Sequence, residues 1–476
     1  MTDKGLIIAD NALDLGRDNL LQVPFKDLAE VRYFNVVALG IVGCLLGLDE
    51  DLMAGAVDDF FGKKKPEMAE ANRRALAAAV TWAEEKAISS HALPEVPDPP
   101  RRLMMNGNEA IALGAVSAGL KFVSFYPMTP ATSVVLNVAA QARKMGLIVE
   151  QAEDEIAAIN MAIGASFAGA PAMVATSGGG FALMEEGVSL AAMTETPVVV
   201  VLAQRPGPAT GLPTRTEQGD LELVLHAGHG EFPRAIFAPG TIEECFYLTR
   251  RAFELAERYQ GPMFLLTDQF LADSYRAVVP FEIKNLAAVH GGTGTASTLP
   301  YERFAFTDSG VSPRLLPGAG KQLVVADSDE HTQGGHITED LSLRIKMVEK
   351  RLTKGTWVES EVIAPEVKGE ERPDFLLVCW GSSKGSVQEA ARHLTSKGKK
   401  VATLHFSQVW PLVPEQFMEY LENAHEVVCV EGNAFGQFAR LIRRETGFYI
   451  PRRILRYDGL PITPEWILHG LDTSET

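Results

Sequence analysis

The chain has 476 residues, 46% of them hydrophobic and 22% charged, which is globular composition with length for two or three domains. A net charge of −17 argues against nucleic acid and other polyanions as partners. The longest apolar run, Val36 to Leu48, has thirteen residues including three glycines, so it is too short to span a bilayer and reads as a buried helix.

In chain order, residues 1–98 open with loop-like text and read as helical from Phe34 to Lys86. The N-terminus has no basic region followed by an apolar core, so no secretory signal is expected. A proline-rich, charged stretch, HALPEVPDPPRR at 91–102, reads as a linker. From 103 the pattern changes. KFVSFYP, LIVEQ, PAMVATS, TPVVVVLA, RAIFAP and PMFLLTD read as strands, and apolar helical stretches separate most of them. Near-continuous apolar strands alternating with helices predict a doubly wound parallel sheet covered on both faces. Residues 275–365 read as irregular, with HGGTGTAST and DSGVSPRLLPGAG as loops. From Pro373, FLLVCWG, KVATLHFSQ, HEVVCVEGN and RRILRYDG alternate with helices in a second, smaller α/β domain. The expected division is 1–98, 99–280, 281–368 and 369–476. Cys44, Cys245, Cys379 and Cys429 lie far apart without any CxxC, so no metal or cluster motif is encoded locally. Scattered thiols of this kind fit buried positions in a protein of the reducing cytoplasm.

Two stretches carry chemistry. YPMTPATSVV is a strand-to-helix corner in which Thr129 suits the N-cap and Pro130 the first helical position. The free N–H groups of such a corner make an anion site at the carboxyl end of a sheet, although a plain capped helix is the simpler reading of the geometry. In VEQAEDEIAAINMAIGASFAG, four acids precede an Ala- and Gly-rich helix. Glu150, Glu153 and Asp154 complement the helix dipole. Glu155 at the rim of a small-residue surface would be poorly hydrated and able to share a proton with a ring nitrogen, as the aminopyrimidine of thiamine diphosphate requires. Such a surface lets a flat ring approach closely.

These stretches occur in a fixed order with Gly107-Asn108-Glu109-Ala110, MTETPVVVV, QRPGPATGLPTRTEQGDL, GVSPRLLPG, SDEHTQGGHITED and EGNAFGQ. Together they strongly resemble the α subunit of the 2-oxoacid:ferredoxin oxidoreductases, the 2-oxoglutarate branch most closely. The resemblance implies a pyrimidine-binding domain of a thiamine enzyme followed by a smaller domain like the transketolase C-terminal one. It implies that Glu155 is the activating glutamate, that Gly164 belongs to the same cofactor helix at the spacing of related thiamine enzymes, and that Thr129 and Arg215 hold the substrate carboxylate. A planar, bidentate arginine suits that last role. The chain departs from the family pattern at Ser177 to Gly180, where relatives commonly have SGPG, and at Gly207-Pro208-Ala209-Thr210, where they have GGPST. Asn433 and Gln437 suit either a ligand or partner contact or a capping role.

What is missing matters too. There is no Gly-Asp-Gly for a Mg2+–diphosphate site and no cluster cysteine. The resemblance therefore implies half an enzyme, with a β subunit supplying Mg2+, the diphosphate site and a 4Fe–4S cluster, and with ferredoxin, coenzyme A and a 2-oxoacid as further partners. The implied reaction is reversible, coenzyme A-dependent oxidative decarboxylation to an acyl-CoA. Residues 34–87 resemble the end of the γ domain that precedes α in many relatives, without its larger first part, so residues 1–98 are expected to pack on another chain. The alternatives are another thiamine-dependent reaction, ketol transfer or carboligation, and a non-catalytic structural subunit.

Overall fold

A computed structural model of the chain describes residues 5–13, 15–61, 66–88, 92–94, 96–287, 289 and 300–472. The expected loop HGGTGTAST and parts of the linker text at 91 and 95 lie outside the described residues. Two compact units are present, Met1–Pro100 and Arg101–Thr476.

In the first unit, Ile7–Asp10 and Leu20–Val23 form a parallel pair where loops were expected; at four residues each, they are too short to show a periodicity. Helices Phe34–Leu46, Glu50–Phe61 and Pro66–Glu85 follow. The apolar run forms the first of these, ended by Gly47 in the left-handed conformation. Gly40 lets it close onto Ala79, and Val37, Ile41 and Leu76 fill the core. Leu39, Val42, Leu52 and Phe60 stay exposed.

The second unit is built on a seven-stranded sheet in the order Gln408–Trp410, Ile236–Phe237, Pro262–Asp268, Val198–Gln204, Ala172–Thr176, Phe122–Phe125, Ile148–Gln151. Every pairing is parallel except that of the Gln408–Trp410 edge. All seven residues of Val198–Gln204 are buried because both faces are covered. Val198, Val200 and Leu202 point into the core shared with helices Glu155–Phe167 and Gly178–Met193, and Val199, Val201 and Ala203 point into the opposite core, with helix Ile242–Tyr259. The first core continues into a five-stranded sheet of the C-terminal region through Val378, Trp380, Leu404 and Phe406. The doubly wound α/β class and the smaller α/β sheet are therefore both present.

Two expectations are corrected. KVATLHFSQ is not one strand: Val401–Phe406 belongs to the five-stranded sheet, and Gln408–Trp410 crosses to the edge of the seven-stranded one. The stretch 275–365 is not wholly irregular, because Leu341–Ser360 is a twenty-residue helix. Its buried side includes Lys350, Arg351 and Lys354, which hides the apolar period that marks a helix in sequence. Lys350 and Lys354 each bond a different carboxylate oxygen of Glu195, at 2.6 and 2.9 Å. Buried Arg303 bonds the Glu195 carbonyl at 2.7 Å. These cations hold the Glu195 carboxyl down at about 2 against the opposing effect of burial. The connecting segment is thus fastened to the parallel sheet by buried charge as well as by apolar packing.

Candidate functional site

The carboxyl ends of four adjacent parallel strands gather the candidate residues, as an open α/β sheet requires. Phe122–Phe125 leads to the Thr129 turn, Ile148–Gln151 to Glu155, Ala172–Thr176 to Gly178, and Val198–Gln204 to Arg205.

Glu155 is the first residue of its helix and only 3% exposed. Asp154 caps the helix, its Oδ1 accepting from the Ala157 N–H at 2.7 Å. Asp154 therefore complements the dipole as expected, and Glu150 and Glu153 are exposed. The Glu155 Oε1 is buried without a hydrogen-bond partner. It rests on Gly180, where an added Cβ would lie 2.4 Å from Oε1 and 2.3 Å from the Thr176 Oγ1. Burial, with the neighbouring Asp154, pushes the Glu155 carboxyl up.

Gly180 belongs to the first turn of helix Gly178–Met193. Ser177 does not cap that helix, and its Oγ is buried and unpaired. The first N–H groups of a helix have no partner along it. Two of the glycines here, Gly178 and Gly180, make room for carboxylates. An added Cβ at Gly178 would lie 2.5 Å from the Oδ1 of Asp220, whose Oδ2 is a second buried carboxyl oxygen without a partner. Burial and the nearby Glu217 push Asp220 up to about 7, against the pull of Arg205.

The Thr129 corner differs from expectation. Its helix starts at Thr132 after Ala131, with no side-chain cap, so Thr129 is not the N-cap and Pro130 is not the first helical residue. The Met128 carbonyl accepts from the Thr132 N–H at 3.0 Å, closing a separate turn before the helix begins. Thr129 is exposed, and its carbonyl accepts from Arg205 Nη1 at 2.6 Å. Arg215 is exposed and packs its stem on the Gly459 turn of the C-terminal sheet. Gly164 does not line the Glu155 carboxylate. Nine residues are about two and a half helical turns, which puts Gly164 on the opposite face. It is exposed, and a Cβ there would meet nothing within 4 Å. The small side chain that makes room at the carboxylate is that of Gly180, on the neighbouring helix.

Residues 215–220 are stapled to the C-terminal sheet. Gln218 donates its N–H to the Gly432 carbonyl at 2.6 Å and its Nε2 to the Trp380 carbonyl at 2.9 Å. In return its Oε1 accepts from the Gly432 N–H at 2.8 Å and its carbonyl from Asn433 Nδ2 at 3.1 Å. Gln437 donates to the Gly219 carbonyl at 2.7 Å. Asn433 also caps the following turn through Oδ1, at 2.8 Å from the Gly436 N–H. EGNAFGQ therefore fixes the loop that carries Arg215 and Asp220. Arg205, Asp220 and Gln218 were not singled out by sequence, and Gly180 only within the departure at Ser177 to Gly180, although Arg205 directly follows a fully buried strand and three glycines open a helix.

An aminopyrimidine fits this constellation. A buried carboxyl oxygen held on a glycine, with no hydrogen-bond partner among the described residues, is suited to a ring N–H. Among the described residues there is no cluster of three or more His, Cys, Asp or Glu side chains that could hold a metal, and no helix is long and apolar enough to cross a membrane. A cleft of about 660 Å³ lined by His226, Phe232, Trp410 and Arg444 includes none of the candidate residues.

Comparison with known proteins agrees with the geometry. A family model described as pyruvate flavodoxin/ferredoxin oxidoreductase, thiamine diP-binding, matches residues 113–350. The chain is 34% identical over 461 residues to 2-oxoacid:ferredoxin oxidoreductase 1, subunit alpha, of Sulfurisphaera tokodaii, covering 93% of this chain and 71% of that one. It is 33% identical over 341 residues to 2-oxoglutarate synthase subunit KorA of Archaeoglobus fulgidus, covering 72% of this chain and 90% of that one. Among solved structures, the 2-oxoglutarate:ferredoxin oxidoreductase of Magnetococcus marinus, with 2-oxoglutarate, coenzyme A and succinyl-CoA bound, superposes with a TM-score of 0.90 at 34% identity. That match covers 98% of this chain and 82% of the other.

Proposed function

This chain belongs to the α-subunit family of the 2-oxoacid:ferredoxin oxidoreductases, and we propose that it holds the pyrimidine of thiamine diphosphate and the carboxylate of a 2-oxoacid, 2-oxoglutarate foremost. The observation that carries this is the buried, unpaired Oε1 of Glu155 over Gly180. The ligands of the Magnetococcus marinus enzyme support the choice of substrate and of coenzyme A as acyl acceptor.

Thiamine diphosphate, when bound, supplies a carbon nucleophile for the 2-keto carbon and an electron sink for loss of carbon dioxide. Glu155 holds a proton at Oε1 for exchange with the pyrimidine ring, and its raised affinity for that proton follows from burial. Thr129 and Arg215 grip the substrate carboxylate, Arg215 from a loop that the C-terminal sheet holds still. Gly164, exposed on the far face of the Glu155 helix, offers a close approach to the partner half of the site. A β subunit brings Mg2+, the diphosphate site and a 4Fe–4S cluster, and ferredoxin takes the two electrons. In this reading, residues 1–98 correspond to the end of a γ domain, 99–280 to the pyrimidine domain, 281–368 to the connection and 369–476 to the C-terminal domain.

The test is 2-oxoglutarate- and coenzyme A-dependent reduction of a low-potential dye by this chain co-expressed with its β partner, wild type beside Glu155→Gln. Loss of activity in an assembled variant is expected. An unchanged rate removes Glu155 from its role, and no turnover of any 2-oxoacid by an intact, cofactor-loaded complex leaves a structural subunit.

A further inference from the structure

Residues 435–457 carry six arginines and one glutamate in a chain whose net charge is −17. Arg444, Arg452 and Arg456 are paired with Glu445, Glu426 and Asp458. Arg440 lies 3.4 Å from the exposed Glu222. Arg443 and Arg453 have no carboxylate partner among the described residues. These last three cations are laid on two exposed rings. Arg440 sits over Phe435, 5.7 Å from the ring centre, and Arg443 and Arg453 sit over Tyr449 at 4.8 and 5.7 Å. The Arg453 stem also packs on Gly436, where an added Cβ would lie 2.9 Å from its Cδ. Phe435 is 69% exposed and Tyr449 52%. The guanidiniums are therefore oriented before any partner arrives, which lowers the entropy cost of pairing them.

We propose that this face, made by helix Gln437–Thr446 with Phe435, Tyr449 and Arg453, docks the β subunit through carboxylates of that subunit. This rests on the function proposed above, in which a β subunit completes the site. Arginine and aromatic side chains are the ones that carry most of the binding energy in protein interfaces. Nucleic acid or an anionic membrane meets the −17 charge of the whole chain, whereas a protein needs only a local acidic patch to pair with these arginines. The face also adjoins the half-site. Phe435 lies between Asn433 and Gln437, which donate to the Gln218 and Gly219 carbonyls and so brace the loop of Arg215. A subunit that closes the site over that loop comes beside these arginines, and charge complementarity then fixes its register.

The experiment uses the full chain with its β partner: wild type, the double variant Arg443→Gln with Arg453→Gln, and the charge-keeping Arg443→Lys with Arg453→Lys. Arg392→Gln, at another exposed arginine, is the control. Sedimentation gives the Kd between the subunits at about 50 mM and about 500 mM salt. The glutamine pair weakens association about tenfold at low salt, and the difference shrinks below about twofold at high salt, where exposed charges are screened. The lysine pair keeps the salt dependence of the wild type, Arg392→Gln keeps its Kd, and dye reduction per assembled complex is unchanged in all of them. Melts of the isolated chains, alike within a few degrees, separate docking from folding. A glutamine pair that associates with the wild-type Kd overturns the proposal and leaves the parent function standing. So does a loss confined to ferredoxin reduction or to nucleic-acid binding, with assembly intact. Assembly that responds as expected, but without turnover of any 2-oxoacid, overturns the parent function and keeps the surface. A wild-type chain that never binds its β partner overturns both.

Discussion

Replacing Gly180 by alanine separates the fold from the chemistry more cleanly than removing Glu155 does. The new Cβ would sit 2.4 Å from Glu155 Oε1, 2.8 Å from its Cγ and 2.3 Å from Thr176 Oγ1, where ordinary contact begins at 3.4 Å. The carboxylate must therefore retreat by about 1 Å. Overpacking of this kind costs about 1–3 kcal/mol. Alanine in a helix recovers about 0.5–1 kcal/mol of that. The melting temperature of the chain should accordingly fall by only a few degrees. A misplacement of about 1 Å at a catalytic group costs on the order of 100-fold in rate. The assay is the dye reduction described above, run with thermal melts and sizing of the complex. Gly179 supplies the control, because its Cβ would meet only the Ala209 carbonyl at 3.5 Å, an ordinary contact, so Gly179→Ala should keep nearly full activity. Gly180→Ala with activity within threefold of wild type, in an assembled complex, would refute the idea that the glycine exists to seat the carboxylate.

Glu195→Gln should destabilise the chain by about 3–5 kcal/mol, since it strands Lys350 and Lys354 in the interior, and denaturant unfolding measures this. Because the folded value of Glu195 is depressed from 4.5 to about 2, its contribution is present above about 4.5 and lost as pH falls toward 2, on the order of 3 kcal/mol. Melts of wild type and Glu195→Gln should converge in that acid window. Gln218→Ala removes the side-chain bonds to Trp380 and Gly432 and should raise KM for the 2-oxoacid by about tenfold, with a stability loss of about 1–3 kcal/mol. A Cβ at Gly164 meets nothing within 4 Å, so Gly164→Ala should hold or slightly raise the melting temperature of the isolated chain, by the about 0.5–1 kcal/mol a helix gains on losing glycine; loss of β-subunit binding or of cofactor retention in sizing and cofactor analysis would be the mark of the contact assigned to it.

Legibility followed the physics of each element. VVVVLAQ and PMFLLTD announced themselves because a strand covered on both faces is a near-continuous apolar run, polar only at its carboxyl end, at Gln204 and at Thr267 and Asp268. Helix Leu341–Ser360 did not, because its inner side pairs lysines and arginines with distant carboxylates, and no local pattern records such a partner. The N-cap at Thr129 failed for a related reason: the residue types suit a cap, but the Thr129 carbonyl, which an N-cap would give to the Ser133 N–H, accepts from the distant Arg205 instead, and the Ser133 N–H goes to the Pro130 carbonyl. Gly164 was linked to Glu155 by spacing, while the helical period puts the two on opposite faces.

The amino-acid sequence by itself determined the α/β class, the acid that opens the small-residue helix, and the motif order that marks the family, because these live in local periodicity and in residue identity. Only the tertiary structure decided which glycine seats Glu155, that Asp220 shares the same helix start, that Arg205 holds the Thr129 turn, and that Asn433 and Gln437 brace the loop of Arg215. Those relations join residues from separate strand ends and from a second sheet. They exist only once the sheets fold and buried polar groups must find partners across the chain.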